Sequence, residues 1–416
     1  MLFFVILVNI TLVPELSANR NSSKLNVVAV VVDDMGWRQL GCYGSEFYRS
    51  PNIDKLAENG VHFTNAYALA PVCSPTRAAL MTGKYPARLH LKDFIPGSAP
   101  TDKALLTPQW QKFPPLEEVT IAEIVKTVGY QTAIFGKWHL SKEKFGQESI
   151  SNNPDKQGFG ESFLTFKPSK SYPLGAWQKP EIDAYSSDTI MRRSVEFFDR
   201  NKNNPFLLIT SFDAIHDPLM ERASSIQRFK NRPDSNLPVN TPVLASMIER
   251  VDKAVGRSMG CLEKNKLLKN TLIILISDNG GLEKSANQSP LKQGKGWFYE
   301  GGIRVPMIVS GRGKIQQGRE SGQPVASIDI LPTVLQLIHV QKNLSTVDGN
   351  SIVPVLQKSL PLKSEALFWN YPPYHNGPPS AVICKGNYEL IEWYEKSMAN
   401  QPGAFELYDF KRESCK

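Results

Sequence analysis

The sequence predicts an α/β protein with a large, mostly parallel mixed sheet flanked by helices and a small antiparallel sheet at its carboxyl end. Three observations carry this. Continuous apolar runs rich in β-branched residues, such as residues 25–32 (LNVVAVVV) and 271–276 (TLIILI), are the mark of strands buried on both faces. Segments with helical spacing of apolar residues, at 51–60, 120–128, 188–200 and 244–264, alternate with these runs. From about residue 364 the pattern changes to short alternating strands, at 366–369, 381–385, 388–394 and 406–409.

Composition sets the outer limits. At 416 residues, 41% hydrophobic and 21% charged, the chain can bury one continuous core, and it has no short repeat or low-complexity tract. A net charge of +8 favours an anionic partner, although scattered solubilising lysines give the same balance. No tight Lys/Arg block points to nucleic acid. Residues 1–13 form an apolar run too short for a bilayer span of about 20 residues. With Leu16-Ser17-Ala18 as a cleavage point, residues 1–18 read as a signal peptide, so the expected location is periplasmic or secreted, with no stable membrane span. Residues 24–360 then read as the main domain and 361–416 as the small antiparallel subdomain. Five cysteines, Cys42, Cys73, Cys261, Cys384 and Cys415, leave at least one unpaired in an exported chain, with Cys73 the natural candidate. The others allow one or two disulfides or buried thiols.

Taken in order, the strand at 25–32 ends in Asp33-Asp34. Adjacent carboxylates there need a cation or strong donors, and ligand sites in open α/β sheets lie at that edge. Residues 51–60 read as a helix closed by Gly60, and 61–67 as the approach to Cys73. In CSPTRAALMTG, Pro75 suits a first helical turn, which sets Cys73 at a helix mouth where negative charge is favoured, with Arg77 one turn further on. Residues 84–115 are rich in Pro, Gly and Thr and read as loops. The helix at 120–128 has Thr120 as its N-cap and Gly129 just past its end.

The strand at 130–135 runs into Gly136-Lys137-Trp138-His139. On extended chain Lys137 and His139 face one way and can converge on a single anion. Residues 141–183 read as an irregular insertion shaping the pocket. The strand at 205–211 leads to His216, and the strand at 271–276 to Ser277-Asp278-Asn279-Gly280-Gly281. Lys295 lies between two glycines, where its backbone can approach an anion closely. Glu300 and Arg304 read as a structural ion pair, and 326–339 as a helix.

Separate strand ends thus deliver Asp33, Asp34, Lys137, His139, His216, Asp278 and Asn279 to one edge. Three carboxylates and an amide oxygen make a hard oxygen cage that suits Ca²⁺; Mg²⁺ keeps more water, and no His or thiolate cluster has zinc spacing. Arg77, Lys137 and Lys295 are fixed cations around it, with His139 and His216 as hydrogen-bond donors or proton carriers near neutral pH.

The ordered motifs DDMGW, CSPTRAALMTG, GKWHL, the His before Pro218, SDNGG and GKGxxxEGGIRVP together resemble type I sulfatases from residue 25 to about 409. The resemblance implies the alkaline-phosphatase/sulfatase-like fold and oxidation of Cys73 to formylglycine (3-oxoalanine) by a maturation enzyme. It implies a Ca²⁺ held by Asp33, Asp34, Asp278 and Asn279 and completed by the modified Cys73. Arg77, Lys137, His139, His216 and Lys295 would bind sulfate, activate the nucleophile and protonate the leaving oxygen, with His216 or Lys295 as general acid and His139 as base. Trp297 stands where a small hydroxyl residue is usual, and the chain stops soon after residue 409, where relatives continue, which implies a shortened C-terminal subdomain. The loop 371–379 and the sequence after it are similar to bacterial polysaccharide sulfatases, which points to a galactose- or N-acetylgalactosamine-type glycan sulfate, with His375 meeting the sugar. The rival readings are a phosphonate monoester or phosphodiester hydrolase of the same superfamily and an inactive glycan-binding relative.

Overall fold

A computed structural model of the chain describes residues 24–97, 99–141, 152–165, 186–340, 345–363 and 366–410. The signal-peptide reading of residues 1–18, the terminal residues 411–416 and much of the 141–183 insertion lie outside the described residues.

Nine strands of the described residues form the main sheet, in the order β4-β3-β5-β1-β6-β7-β2-β8, with β9 paired to β2. They are β1 (Asn26–Val32), β2 (Gly60–Tyr67), β3 (Gln131–Gly136), β4 (Glu161–Leu164), β5 (Phe206–Phe212), β6 (Thr271–Ser277), β7 (Arg304–Ser310), β8 (Arg319–Ser321) and β9 (Val325–Ala326). Strands β3, β4, β5, β1 and β6 run parallel, and β7 is antiparallel to both β6 and β2.

All seven residues of β1 are buried because both faces are covered. Val27, Ala29 and Val31 join one core layer, with Ala78 and Leu80 of α2 (Cys73–Thr82), preceded in the chain by α1 (Pro51–Glu58), and with Ile124 of α3 (Ile121–Lys126). Val28, Val30 and Val32 join the opposite layer, with Ile53 and Leu56 of α1, Phe197 of α4 (Ser187–Arg200), Phe229 of α5 (Ala223–Lys230) and Ile248 of α6 (Pro242–Lys264). The period-2 alternation of a strand thus feeds two cores from one run of valines.

A second sheet of four antiparallel strands, β10 (Leu367–Tyr371), β11 (Ser380–Lys385), β12 (Tyr388–Trp393) and β13 (Phe405–Asp409), packs through Trp369, Tyr371, Val382, Ile391 and Trp393 against Tyr67, Phe298 and Tyr299.

Three expectations need correction. Gly60 does not close α1; Asn59 does, and Gly60 opens β2, where a Cβ would lie 2.3 Å from the Val309 carbonyl oxygen of β7. Its missing side chain serves strand approach rather than a helix end. Within the 141–183 insertion, Glu161–Leu164 is an edge strand, too short and too exposed for an apolar pattern to mark it. The segment 326–339 begins as β9 and a 3-10 turn, Ser327–Asp329, before the α-helix Ile330–Leu337, because Asp329 accepts the Ala326 N–H at 2.8 Å and starts the helix late. Of the two readings left open for the cysteines, the thiol one holds among the described residues: Cys42, Cys73, Cys261 and Cys384 are thiols, and Cys415 lies outside the described residues.

Candidate active site

The site is assembled at the carboxyl ends of β1, β2, β3, β5 and β6, where loops leave a parallel sheet and backbone groups are free to meet a ligand. Cys73 is the first residue of α2, and all ten residues of that helix are buried. The preceding Val72 is extended and offers no capping side chain, so an anion at this mouth would meet unsatisfied first-turn N–H groups. Thr76 fixes the entry: its hydroxyl accepts the Ala70 N–H at 3.0 Å and donates to the Ala70 carbonyl at 3.2 Å.

Asp33, Asp34, Cys73 and His216 each place a ligand atom within 4.8 Å of the others. Around them the cations are already engaged. Lys137 Nζ lies 2.6 Å from Asp33 Oδ2, and Lys295 Nζ lies 2.5 Å from Asp34 Oδ1, 3.1 Å from His216 Nε2 and 3.4 Å from Cys73 Sγ. Arg77 donates through Nε to Asp278 Oδ2 at 2.8 Å and through one terminal nitrogen to the Lys137 carbonyl at 2.8 Å and Ser211 Oγ at 2.6 Å. His216 donates from Nδ1 to the Asp217 carbonyl at 2.7 Å, which turns Nε2 toward Lys295 Nζ at 3.1 Å.

Burial alone would raise the pKa of Asp33, but Lys137, His216, Lys295 and Arg77 outweigh it and hold the carboxyl well below its ordinary range. Burial opposes Asp34 likewise, and His216 and Lys295 keep it lowered. Burial also works against the ammonium groups of Lys137 and Lys295, yet the facing Asp33 and Asp34 raise both. Asp278 goes the other way, its pKa pushed up to about 6 by burial and the neighbouring Asp33, so above that pH the cluster sets three cations against three carboxylates.

The donor set fits a hard cation on one geometric ground. Among the described residues, Asp33 Oδ1, Asp34 Oδ2 and Asn279 Oδ1 are buried and accept no hydrogen bond, whereas buried oxygen atoms are normally satisfied. Asp278 differs from expectation in its engagements: its oxygens receive Arg77 at 2.8 Å and the Asp34 N–H at 3.3 Å, while His216 joins the close group. Asp34 adopts φ 61, the left-handed region that Asp tolerates better than most residues, and this turns its carboxylate into the cluster.

Lys137 and His139 are not on extended chain. β3 stops at Gly136, with φ 115, and His139 has φ 58, so alternation does not orient them. Each is placed by its own contact instead, Lys137 on Asp33 and His139 by donating from Nε2 to the Ile95 carbonyl at 2.6 Å. Gly280 and Gly301 explain why SDNGG and EGGIRVP occur together. Gly280 N–H donates to the Gly302 carbonyl at 2.9 Å, and a Cβ on Gly280 would lie 1.9 Å from the Gly301 oxygen, so the two loops meet backbone to backbone. Glu300 and Arg304 pair at 2.8 Å beside them.

Above Cys73 opens a cleft of about 720 Å³, lined by Phe94, His139, His216, Lys295, Trp297 and His375 among others, and larger than the cavities of about 260 and 560 Å³ that border the second sheet. Sequence reasoning missed three participants: Ser211, Asp213 and Asn376. The first two lie at the carboxyl end of β5, and the strand-end rule that found His216 applies to them equally; Asn376 carries no local signal.

This arrangement, a cysteine at a helix mouth inside a balanced cluster of buried carboxylates and cations on a doubly wound sheet, defines an enzyme acting on oxyanion esters. The family model described as Sulfatase matches residues 25–340, and the one described as N-sulphoglucosamine sulphohydrolase, C-terminal, matches residues 293–415. A sulfatase of Formosa agariphila is 29% identical over 94% of this chain and 83% of its own length, and the N-acetylgalactosamine-6-sulfatase of Rattus norvegicus is 28% identical over 88% and 71%. The solved structure of Ps i-CgsB in complex with k-i-k-neocarrahexaose is similar at a TM-score of 0.76 and 28% identity, covering 94% of this chain and 88% of that one. The chain belongs to the sulfatase family, and its chemistry is sulfuric ester hydrolysis.

Proposed function

We propose that the chain is a formylglycine-dependent sulfatase of glycan sulfate esters, of galactose or N-acetylgalactosamine type, exported from the cell and matured at Cys73 by a formylglycine-generating enzyme. The carrying observation is the placement of Cys73 Sγ at the mouth of α2, 3.4 Å from Lys295 Nζ and within the 4.8 Å group of Asp33, Asp34 and His216.

Asp33, Asp34, Asp278 and Asn279 would hold Ca²⁺, with the side chain made from Cys73 completing the set; a bound Ca²⁺ would polarise a sulfuryl oxygen. The charge balance supports a divalent ion: with cations and carboxylates equal, it leaves the site two units positive, complementary to an anionic ester. The hydrated aldehyde would supply two hydroxyls: one attacks sulfur as the alcohol leaves, and the other, on losing its proton, restores the aldehyde and breaks the carbon–oxygen bond to the sulfated oxygen, which leaves with the sulfate. Arg77, Lys137 and Lys295 hold positive charge where negative charge accumulates. His216 and Lys295, 3.1 Å apart, are the pair from which the departing alcohol takes its proton. His139, whose Nε2–H is tied to Ile95, accepts a proton at Nδ1.

The cleft is of the size that accepts a sugar unit, and the names of the similar N-acetylgalactosamine-6-sulfatase and of the neocarrahexaose complex support a glycan. Mass spectrometry of the peptide carrying Cys73, paired with turnover of matched sulfate, phosphonate and phosphodiester substrates, tests the reading. Formylglycine with sulfate preferred is expected. Phosphonate preference would favour the hydrolase rival, and modified protein that binds sulfated oligosaccharides without turning them over would favour the glycan-binding relative.

A further inference from the structure

The second sheet contributes more than a wall to the cleft. The turn carrying Lys295 is tied down by three separate segments: Lys295 N–H donates to the Gly281 carbonyl at 2.9 Å, Gly296 N–H donates to the Pro71 carbonyl at 2.8 Å, and the Lys295 carbonyl accepts from Asn376 Nδ2 at 2.7 Å. Asn376 is 81 residues away in sequence, on the loop between β10 and β11. Contact there leaves no slack. Gly296 has φ +87, and a Cβ on it would lie 2.4 Å from His375 Nδ1 and 2.7 Å from Asn376 Nδ2; a Cβ on Gly377 would lie 2.6 Å from the Trp297 ring. The other end of the same lysine meets Asp34, His216 and Cys73 at 2.5, 3.1 and 3.4 Å.

We propose that Asn376 is a positioning residue for Lys295: its amide fixes the Lys295 carbonyl, and with it the point at which the ammonium meets His216 and the side chain at position 73. A lysine has four rotatable bonds, and misplacement by about 1 Å at a reacting group is enough to cost on the order of 100-fold in rate. The inference rests on the reading of Lys295 given above, and the experiment separates the two.

The experiment measures kcat and KM on a small aryl sulfate for the matured wild type, Asn376→Ala, the isosteric Asn376→Asp, Lys295→Met and the double variant Asn376→Ala/Lys295→Met. Both Asn376 variants should lose about 10- to 100-fold in kcat, with KM changed by no more than about threefold. In the Lys295→Met background, Asn376→Ala should change kcat by less than about twofold, because a residue acting through Lys295 has nothing left to position. Wild-type kcat in both Asn376 variants, or a full multiplicative loss in the double variant, overturns the proposal while leaving the role of Lys295 intact. Wild-type kcat in Lys295→Met removes that role itself, and the positioning proposal with it. Should Asn376→Ala fail to fold, Asn376→Asp, which keeps the volume and loses the donor, carries both comparisons.

Discussion

Cys73 is one of ten buried residues in its helix, and packing alone would treat it as a small apolar side chain. What sets it apart is its neighbour, Lys295 Nζ at 3.4 Å from the thiol sulfur. In the proposed mechanism a serine at this position lacks the second hydroxyl, so Cys73→Ser should release at most one equivalent of alcohol per molecule. Burst measurement with a chromogenic sulfate checks this, and sustained turnover would refute it. Asp213 makes a second residue-scale prediction. Burial, with Asp33 as the next cause, pushes its pKa up to about 8. Its Oδ1 accepts no hydrogen bond from the described residues. A carboxyl raised on folding binds more protons in the native than in the unfolded state, so its contribution is favourable at low pH and is lost as pH rises from about 4 to about 8. Asp213→Asn should therefore gain on the wild type through that window, at a limiting slope of about 1.4 kcal/mol per pH unit, in denaturant titrations of metal-stripped protein. The residues legible in the sequence, Asp33, Asp34, His216, Asp278 and Asn279, are those at or just beyond strand ends. Ser211 and Asp213 share that strand-end position, but their roles do not show in it: Ser211 accepts from Arg77, 134 residues away, and Asp213 feels the charge of Asp33 from another strand.

At the scale of elements, α3 illustrates local determination. Thr120 Oγ1 accepts the Glu123 N–H at 3.2 Å, and Glu123 accepts the Thr120 N–H at 2.8 Å, a reciprocal cap written in four residues. Thr120 Oγ1 also donates to the Gln157 carbonyl at 2.8 Å. Thr120→Ala should cost about 1–2 kcal/mol by chemical denaturation, without change in kcat. The same local logic misread Gly60, because a glycine after an amphipathic run looks alike whether it ends a helix or lets a strand approach. Only the neighbouring β7 tells the two apart.

Across the whole molecule the two sheets meet over a pair of carboxyls, Glu389 buried and Glu300 partly so. Glu389 of β12 is 1% exposed and faces Glu300, and Glu389 Oε2 and Glu300 Oε1 accept no hydrogen bond from the described residues. Arg304 pairs with Glu300 at 2.8 Å. The other ionisable groups at this seam are Tyr67, Cys384, Tyr299, Tyr408, Glu406 and Lys292. Burial, then the charge and contact of Glu300, hold the Glu389 pKa well above 4.5. Docking of the second sheet is thus favoured while Glu389 is protonated and weakens as pH climbs above that value. Glu389→Gln keeps a neutral group in its place, so its stability should fall less between pH 5 and 9 than that of the wild type. Hydrogen exchange in β10–β13 measured across that range checks the prediction, and parallel pH profiles would refute it. Because the second sheet carries Asn376 and His375 into the cleft, loosening it at alkaline pH should also lower activity.

The sequence by itself determined what depends on near neighbours: buried runs that become parallel strands, the Pro75 helix start, the Thr120 cap, and the placing of polar residues at strand ends. It also carried the family, through motifs whose order is fixed. Tertiary structure decided which charges face each other. The Lys295–Asp34, Lys137–Asp33 and Arg77–Asp278 contacts span 261, 104 and 201 residues, and Asn376 reaches Lys295 from another sheet. The physical reason is range. Dihedral preference and periodicity act over a few residues, whereas a buried charge is satisfied by whatever the completed fold brings within about 3 Å, and no local pattern encodes that partner.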